Sequence, residues 1–319
     1  MKNQRCRKSA ETHSSPLISV VIVTYKSGDY IAACIQSVEE AARDIPYEVI
    51  VVDNAPEEGL PDLVRREFPL VLCLENDRNE GFARAVNRGA NRAKGKYIVI
   101  LNPDTLLHRD GLRALIAFMD GQTAPCVVGP RTVDGAGHVA FSCHSLPHLG
   151  NIVRYVVAPF LRGKALKNPR KYLLDLWKPD RTIDLALYNG YLQGSCLVMK
   201  LEFFRSLGML DERYFLYAED ADLGFKIRKA GFSSFLVNEA EVIHVGKHVA
   251  SKESRTTRYF VETYVQYIDK NLGKVHGLFL KTALLLLVLK WLLVAWFGGD
   301  RERLRALRES LPSFLPHPG

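Results

Sequence analysis

Residues 17–24 read LISVVIVT, a β-branched apolar run of strand length with no glycine or proline inside it. A strand with one face in water alternates apolar and polar residues. One this continuously apolar is covered on both faces, as a parallel strand is. Parallel strands need crossover helices, and the sequence supplies them in turn. Tyr30, Ile31, Cys34, Ile35 and Val38 recur at helical spacing, and a second strand over 47–52 stops at Asp53-Asn54. The pattern then predicts a short helix over 60–68, a strand over 71–74, a helix over 82–93, a strand over 97–101, a helix over 111–119 and a strand over 126–128. This alternation predicts an α/β fold with a mostly parallel central sheet, helices on both faces, and a ligand site beyond the carboxyl ends of the strands.

The alternation fails between about 129 and 187, where Pro147, Pro159, Pro169 and Pro179 punctuate basic and aromatic segments such as Arg154-Tyr155-Val156-Val157. This stretch is expected to be an insertion that varies with an acceptor. Order returns over 188–200 with the strand-like string SCLVMK, and an acidic cluster then opens a helix that runs to Gly231, an expected C-cap. The expected division is a basic tail over 1–16, two halves of one α/β domain over 17–129 and 130–270, and a membrane-associated helical segment over 271–319.

The net charge of +8 sits at the two ends: residues 17–269 hold 31 basic and 31 acidic side chains. Lys2, Arg5, Arg7 and Lys8 against Glu11 make the first 16 residues +3, and residues 270–319 contribute +5. A nucleic-acid binder would spread basic residues over a folded face among aromatics, so nucleic acid is not an expected partner, whereas basic ends around a greasy segment suit an anionic membrane surface. That segment, 278–297, is broken only by Lys281, Thr282 and Lys290. Twenty helical residues reach about 30 Å, enough to cross a bilayer. Lys290 in the interior, with Lys270 and Lys274 before and Arg301, Arg303, Arg305 and Arg308 after, favours instead a helix lying in the interface with snorkelling lysines. Six cysteines without a CxxC pair read as free thiols in a reducing compartment, and no apolar signal stretch precedes the first strand. The expected location is the cytoplasmic face of the cell membrane, peripheral or monotopic.

Four places carry chemistry. Thr24 and Tyr25 end the first strand and Asp53 the second, so a ring and a carboxylate stand ready to stack on a base and accept its imino N–H; alternatively Asp53-Asn54 is a turn held by its own side chains. A Rossmann or P-loop glycine string is missing. Gly81 leads into a helix carrying Arg84 and Asn87, an arrangement suited to a diphosphate, while Arg88 and Arg92 read as a solvated face. Asn102-Pro103-Asp104 sets one carboxylate at a strand end, either a turn residue or a ligand for Mg2+ or Mn2+. Finally, Glu219, Asp220 and Asp222 crowd three acids into one helix start, which capping alone explains poorly, with His244 after an apolar stretch as either a core residue or a distant metal ligand. The absent HExxH glutamate and Gly246 disfavour a zinc site through His248.

The strings SVVIVTYKSGDY, EVIVVDNA, NEGFARAVNRG, YIVILNPDT, GSCLVMK, DERYFLYAEDADLGFKIRKAG and VIH resemble, in order and spacing, the family 2 glycosyltransferases and in particular their bacterial rhamnosyltransferase-like branch, over about residues 17–250. The resemblance implies a nucleotide-binding fold of GT-A type, with a nucleotide-sugar-binding half over 17–129 and an acceptor-binding and catalytic half over 130–270 of the same domain. It implies that Thr24, Tyr25, Asp53 and Asn54 hold the nucleotide, with Arg78, Gly81, Arg84, Asn87 and Asn102 around the donor. Asp104 stands in place of the last acid of the DxD motif, Asn102 replaces the first, and His244 falls where some relatives supply a metal ligand. Asp220 falls at the catalytic base, with Glu219 and Asp222 as supporting acids. Tyr191 stands where many relatives have tryptophan. The implied reaction is inverting sugar transfer from a nucleoside diphosphate to a hydroxyl of a glycan or a polyprenyl-diphosphate-linked acceptor, with dTDP-rhamnose the first donor and UDP-hexoses or UDP-galactofuranose open. Rival readings are a non-catalytic nucleotide-binding protein, a dehydrogenase, which the first turn disfavours, and a processive synthase, whose QxxRW string is absent.

Overall fold

The computed structural model describes residues 15–140, 142–146, 182–184, 190–245 and 254–315. Nearly all of the expected basic tail, the centre of the expected insertion, Gly246 and His248 lie outside the described residues. The strands are β1 (Ile18–Thr24), β2 (Tyr47–Asp53), β3 (Leu72–Glu75), β4 (Tyr97–Leu101), β5 (Thr105–Leu107), β6 (Cys126–Asp134), β7 (Cys143–Ser145), β8 (Ile183–Asp184), β9 (Gly190–Leu192), β10 (Cys196–Lys200) and β11 (Ser233–His244). The helices are α1 (Gly28–Ala41), α2 (Leu60–Glu67), α3 (Phe82–Arg92), α4 (Gly111–Asp120), α5 (Leu201–Ser206), α6 (Glu219–Lys229), α7 (Ser254–Asn271), α8 (Lys274–Phe297) and α9 (Arg301–Ser310).

The main sheet runs β3-β2-β1-β4-β10-β6-β11-β5, with β8 beside β11. Every residue of β1 is buried, because one apolar cluster covers the α1, α2 and α4 face and another covers the α3, α5 and α6 face. From β3 to β4 all pairings are parallel, as the alternation predicts. The strand read last in that alternation, β6, does not pair with β4. Between them lies β10, antiparallel to both, so the two halves share one mixed sheet. β6 also runs to Asp134, well beyond the expected end. Pro130 has no N–H for a ladder, and the β6–β11 register shifts between Val237 and Glu241 next to it.

Because β10 is antiparallel to β4, its first residue lies beside the last residue of β4. Leu101 pairs with Cys196, Thr24 with Asp53, and His244 with Thr105. The tips of β1, β2, β4 and β11 and the loop before β10 therefore share one rim.

A helical layer of α7, α8 and α9 packs against β9, α6 and the loop before α6. α7, which the sequence division placed with residues 130–270, belongs to this layer, since its Val261 shares a cluster with Val288 of α8 and Leu307 of α9. Gly277, Leu280, Leu284, Val288 and Ala295 form the buried stripe of α8. Leu278, Phe279, Leu286, Leu293, Trp296 and Phe297 face outward, Phe297 with 85% of its surface exposed. By length and composition α8 is long and apolar enough to cross a membrane.

Candidate active site

The site begins with a hydrogen-bonded pair at the tips of β1 and β2. Thr24 donates its hydroxyl to Asp53 Oδ1 at 2.8 Å, and the Ala55 N–H adds a bond of 3.3 Å. Asp53 Oδ2 is buried with no hydrogen-bond partner among the described residues. Burial pushes this carboxyl above the usual aspartate range, against the pull of its two donors. An orphaned buried oxygen is costly unless something donates to it, so this atom fits a ligand N–H. Tyr25, partly buried, follows with the Lys26 ammonium 5.6 Å from its ring centre.

Several residues expected at the nucleotide are spent on the protein instead. Asn54 donates to the Gly81 carbonyl at 3.2 Å and accepts from Asn76 Nδ2 at 2.5 Å and from the Glu80 N–H at 3.4 Å, so it braces the loop before α3. Asn87 pairs like a peptide group with Leu210, donating to its carbonyl at 2.8 Å and accepting from its N–H at 3.1 Å. Arg84 is ion-paired with Glu212 at 3.2 Å. Gly81 has φ +88°, and a Cβ there would sit 2.5 Å from the Phe215 carbonyl oxygen and 2.9 Å from its ring. The same carbonyl accepts the Phe82 N–H at 2.8 Å. The glycine thus lets residues 215–218 approach α3, and a helix N-terminus expected to face phosphate is turned to that task. Of the remaining expected donor contacts, Arg78 is exposed and Asn102 partly buried.

Asp104, three residues past β4, meets His244 at the end of β11, with Asp104 Oδ1 3.1 Å from His244 Nε2. The β5–β11 register and a Val245 N–H bond of 2.9 Å to the Asp104 carbonyl bring these distant residues together. No cluster of three or more His, Cys, Asp or Glu side chains that could hold a metal occurs among the described residues. One carboxylate and one imidazole still suit a hard cation that takes its other ligands from water and phosphate oxygens, so the donor set fits Mg2+ or Mn2+.

The three clustered acids part company on α6, which turns about 100° per residue, so Asp220 and Asp222 point in nearly opposite directions. Asp220 faces the rim. Its Oδ2 accepts the Gly194 N–H at 3.1 Å and its Oδ1 the Ala221 N–H at 2.8 Å. Ser195, the next residue after Gly194, accepts the Asn102 N–H at 3.0 Å, which ties the acid to the corner that carries Asp104. Burial raises the proton affinity of Asp220, while the charge of His144 and the backbone donors pull it back. Glu219 is buried with Oε2 unpartnered among the described residues, and burial and then the charge of Asp220 push its carboxyl up.

Asp222 corrects the expectation of a supporting acid. It is 0% exposed, and Lys270 of α7 donates to both its oxygens at 2.7 Å, joined by Asn271 at 2.8 Å and the Tyr214 hydroxyl at 3.3 Å. Its place is a buried bolt between α6 and the helical layer. The backbone before it is strained. Tyr217 and Ala218 have φ +72° and +65°, two consecutive non-glycine residues in the left-handed region, at a cost of order 1 kcal/mol each. Ring contacts from α7 hold them, Phe215 with Tyr259 at 4.7 Å and Tyr217 with Phe260 at 6.3 Å.

Sequence reasoning missed His144, in the middle of β7. It sits opposite Tyr191 in the β7–β9 pair, the rings 5.6 Å apart. Its only sequence signal was a lone histidine in an irregular stretch. Tyr191, the expected departure in the acceptor platform, is buried against Gly224 of α6, where a Cβ would collide with it.

The family model described as Glycosyl transferase family 2 matches residues 19–183. The N-acetylglucosaminyl-diphospho-decaprenol L-rhamnosyltransferase of Mycobacterium tuberculosis is 28% identical over 271 residues, covering 81% of this chain and 86% of that protein. The rhamnosyltransferase WbbL of Escherichia coli is 23% identical, covering 80% and 93%. The fold is that of a mannosyltransferase from Pyrobaculum calidifontis solved with GDP-Man and Mn2+, with a TM-score of 0.54, 21% identity and coverage of 96% of this chain and 82% of that one.

Proposed function

Since the chain belongs to glycosyl transferase family 2 and is thus a hexosyltransferase of polysaccharide synthesis, we propose that it is an inverting enzyme in which Asp220 is the general base. The reading is carried by the link from Asp220 through Gly194 and Ser195 to Asn102, beside the Asp104–His244 pair. An acceptor hydroxyl attacks the anomeric carbon as the bond to the diphosphate oxygen breaks, and Asp220 takes the hydroxyl proton. One carboxylate is enough because a diphosphate leaves without being protonated, unlike the alcohol that departs from a glycosidase. Asp104 and His244 would hold Mg2+ or Mn2+, which when bound offsets the charge growing on the diphosphate. Asp53 Oδ2 would accept the imino N–H of a thymine or uracil base, with Tyr25 as the stacking ring.

The donor is dTDP-rhamnose, a choice supported by the rhamnosyltransferase names of two relatives. The acceptor is a glycan or a polyprenyl-diphosphate-linked sugar at the membrane surface, on its cytoplasmic face. Support for that surface comes from α8. One side is clad by α7 and α9, and Lys281 is ion-paired with Asp269 at 2.6 Å, which supports a helix lying along the surface. The opposite face offers leucines and aromatics to the interface, with the Arg308 guanidinium 6.0 Å from the Trp296 ring centre.

The test is diphosphate release from dTDP-rhamnose, UDP-glucose and UDP-galactofuranose with a lipid-linked acceptor, with and without chelator. The wild type releases diphosphate from dTDP-rhamnose in a metal-dependent way. D220N is at least about 100-fold slower with unchanged donor affinity. Transfer by D220N at the wild-type rate would overturn the assignment of the base.

A further inference from the structure

We propose that Tyr259 and Phe260 of α7 are positioning residues for Asp220, whose rings hold the strained backbone ahead of α6 and so set where the base points. The inference rests on the reading of Asp220 given above and adds what keeps that carboxylate in place. Asp220 lies between two grips of α7 on the chain. Before it, Phe215 stacks on Tyr259 with ring centres 4.7 Å apart, and Tyr217 meets Phe260 edge-on at 6.3 Å. After it, Lys270 donates to both oxygens of Asp222 at 2.7 Å and Asn271 adds a bond of 2.8 Å. Between the grips, Ala218 and Ala221 share a buried cluster with Val265 and Ile268 of α7. On the other side of the segment, the Phe215 carbonyl accepts the Phe82 N–H at 2.8 Å. The backbone of Phe215 is thus fixed by α3 and its ring by α7.

Tyr217 and Ala218 need that support. Both are left-handed, at φ +72° and +65°, and neither is glycine, which adopts such angles without a Cβ penalty. A residue with a Cβ gives up at least about a factor of five in population at each such position. Ala218 is also the N-cap of α6, and its carbonyl accepts the Asp222 N–H at 2.8 Å. Its backbone angles therefore fix the direction in which the first turn of α6 leaves, and Asp220 leaves with it. Relaxation of either residue to the right-handed region turns the start of α6 and takes Asp220 Oδ2 away from the Gly194 N–H, which it accepts at 3.1 Å. The rings act by filling space beside this backbone, so a phenyl at 259 serves as well as a phenol.

The test couples a loss to a backbone rescue. In the diphosphate-release assay Y259A lowers kcat about tenfold and leaves donor KM within about twofold, because Thr24, Tyr25 and Asp53 stand on other strands. Y259F stays within about twofold of the wild type. Adding A218G to Y259A recovers about fivefold of the loss, since glycine holds a left-handed backbone unaided. A ring that only stabilised the fold would leave a loss that glycine at 218 does not relieve; that result, or wild-type kcat in Y259A, overturns the proposal. F260A, which acts through Tyr217, is the second variant should Y259A not fold: it lowers kcat at least about threefold, and wild-type turnover there overturns the proposal. A further arm needs no turnover. Hydrogen exchange of the Asp222 amide, bonded to the Ala218 carbonyl, speeds about fivefold in Y259A, and unchanged exchange overturns the proposal. Faster exchange together with full transfer by D220N would uphold the ring clamp and instead sink Asp220 as the base.

Discussion

Lys270→Met separates the structural acid from the chemical one. Lys270 gives Asp222 two bonds of 2.7 Å and reaches Asp211 at 2.6 Å. Asp222 is wholly enclosed, so removing its cation leaves a buried charge. Such losses run about 3–5 kcal/mol. Asn271 and the Tyr214 hydroxyl remain, and Lys226, already 3.6 Å away, offers partial replacement. The expected loss is therefore near the lower end, about 3 kcal/mol, or a fall in Tm of about 4–5 °C for a chain of 319 residues. Thermal and urea unfolding measure it, in the single variants and in the K270M/D222N double variant. Neutralising Asp222 removes the stranded charge, so the double variant is more stable than additivity predicts, by about 1–2 kcal/mol. A loss below about 1 kcal/mol for K270M, or strict additivity, would refute the bolt. Folded D222N keeps kcat within about fivefold, unlike D220N; an equal collapse in both would return Asp222 to the chemistry.

Gly81→Ala forces a Cβ to within 2.5 Å of the Phe215 carbonyl at a left-handed backbone, so kcat falls about tenfold or more as residues 215–218 shift, with a stability loss of about 1–3 kcal/mol in urea melts; wild-type turnover would refute it. Glu219 binds its proton more tightly folded than unfolded. Its stabilisation is thus fully present below the ordinary glutamate range and is lost as pH rises through its elevated folded value, and E219Q flattens this fall. Urea midpoints at pH 5, 7 and 8.5 check the slope. Asp211 runs the other way. Burial pushes it up, but Lys270 and the donors of Arg213 outweigh that and hold it at about 2, so its contribution is present above the ordinary aspartate range and is lost as pH falls toward 2, which acid titration of Asp211→Asn tests against the wild type. Replacing Leu293, Trp296 and Phe297 with serine strips exposed apolar surface from α8 and lowers flotation with vesicles containing anionic lipid, while leaving urea stability nearly unchanged; undiminished flotation would refute interfacial docking.

The parallel half of the sheet was legible because LISVVIVT and YEVIVV have to be buried on both faces, and the helices between them carry matching apolar spacing. Asp53, Asp104 and Asp220 were legible as acids at element ends. What they touch was not. Asn54, Asn87, Arg84 and Gly81 look like ligand-binding residues in a string; the structure turns Asn87, Arg84 and Gly81 toward the loop that precedes Asp220 and Asn54 toward the loop before α3. Whether an amide bonds a phosphate or a backbone is decided by residues more than 100 positions away, as with Asn87 and Leu210.

By itself the sequence determined periodicity, and through it which segments are strands, which are helices, and where charged residues punctuate them. Those properties depend on neighbours within a few residues. Only the tertiary structure decided that β10 enters antiparallel between β4 and β6, that Asp104 meets His244, that Asp220 and Asp222 serve opposite sides of one helix, and that His144 lies opposite Tyr191. Each of these depends on pairing across long loops, where register and burial, rather than local preference, select the partner.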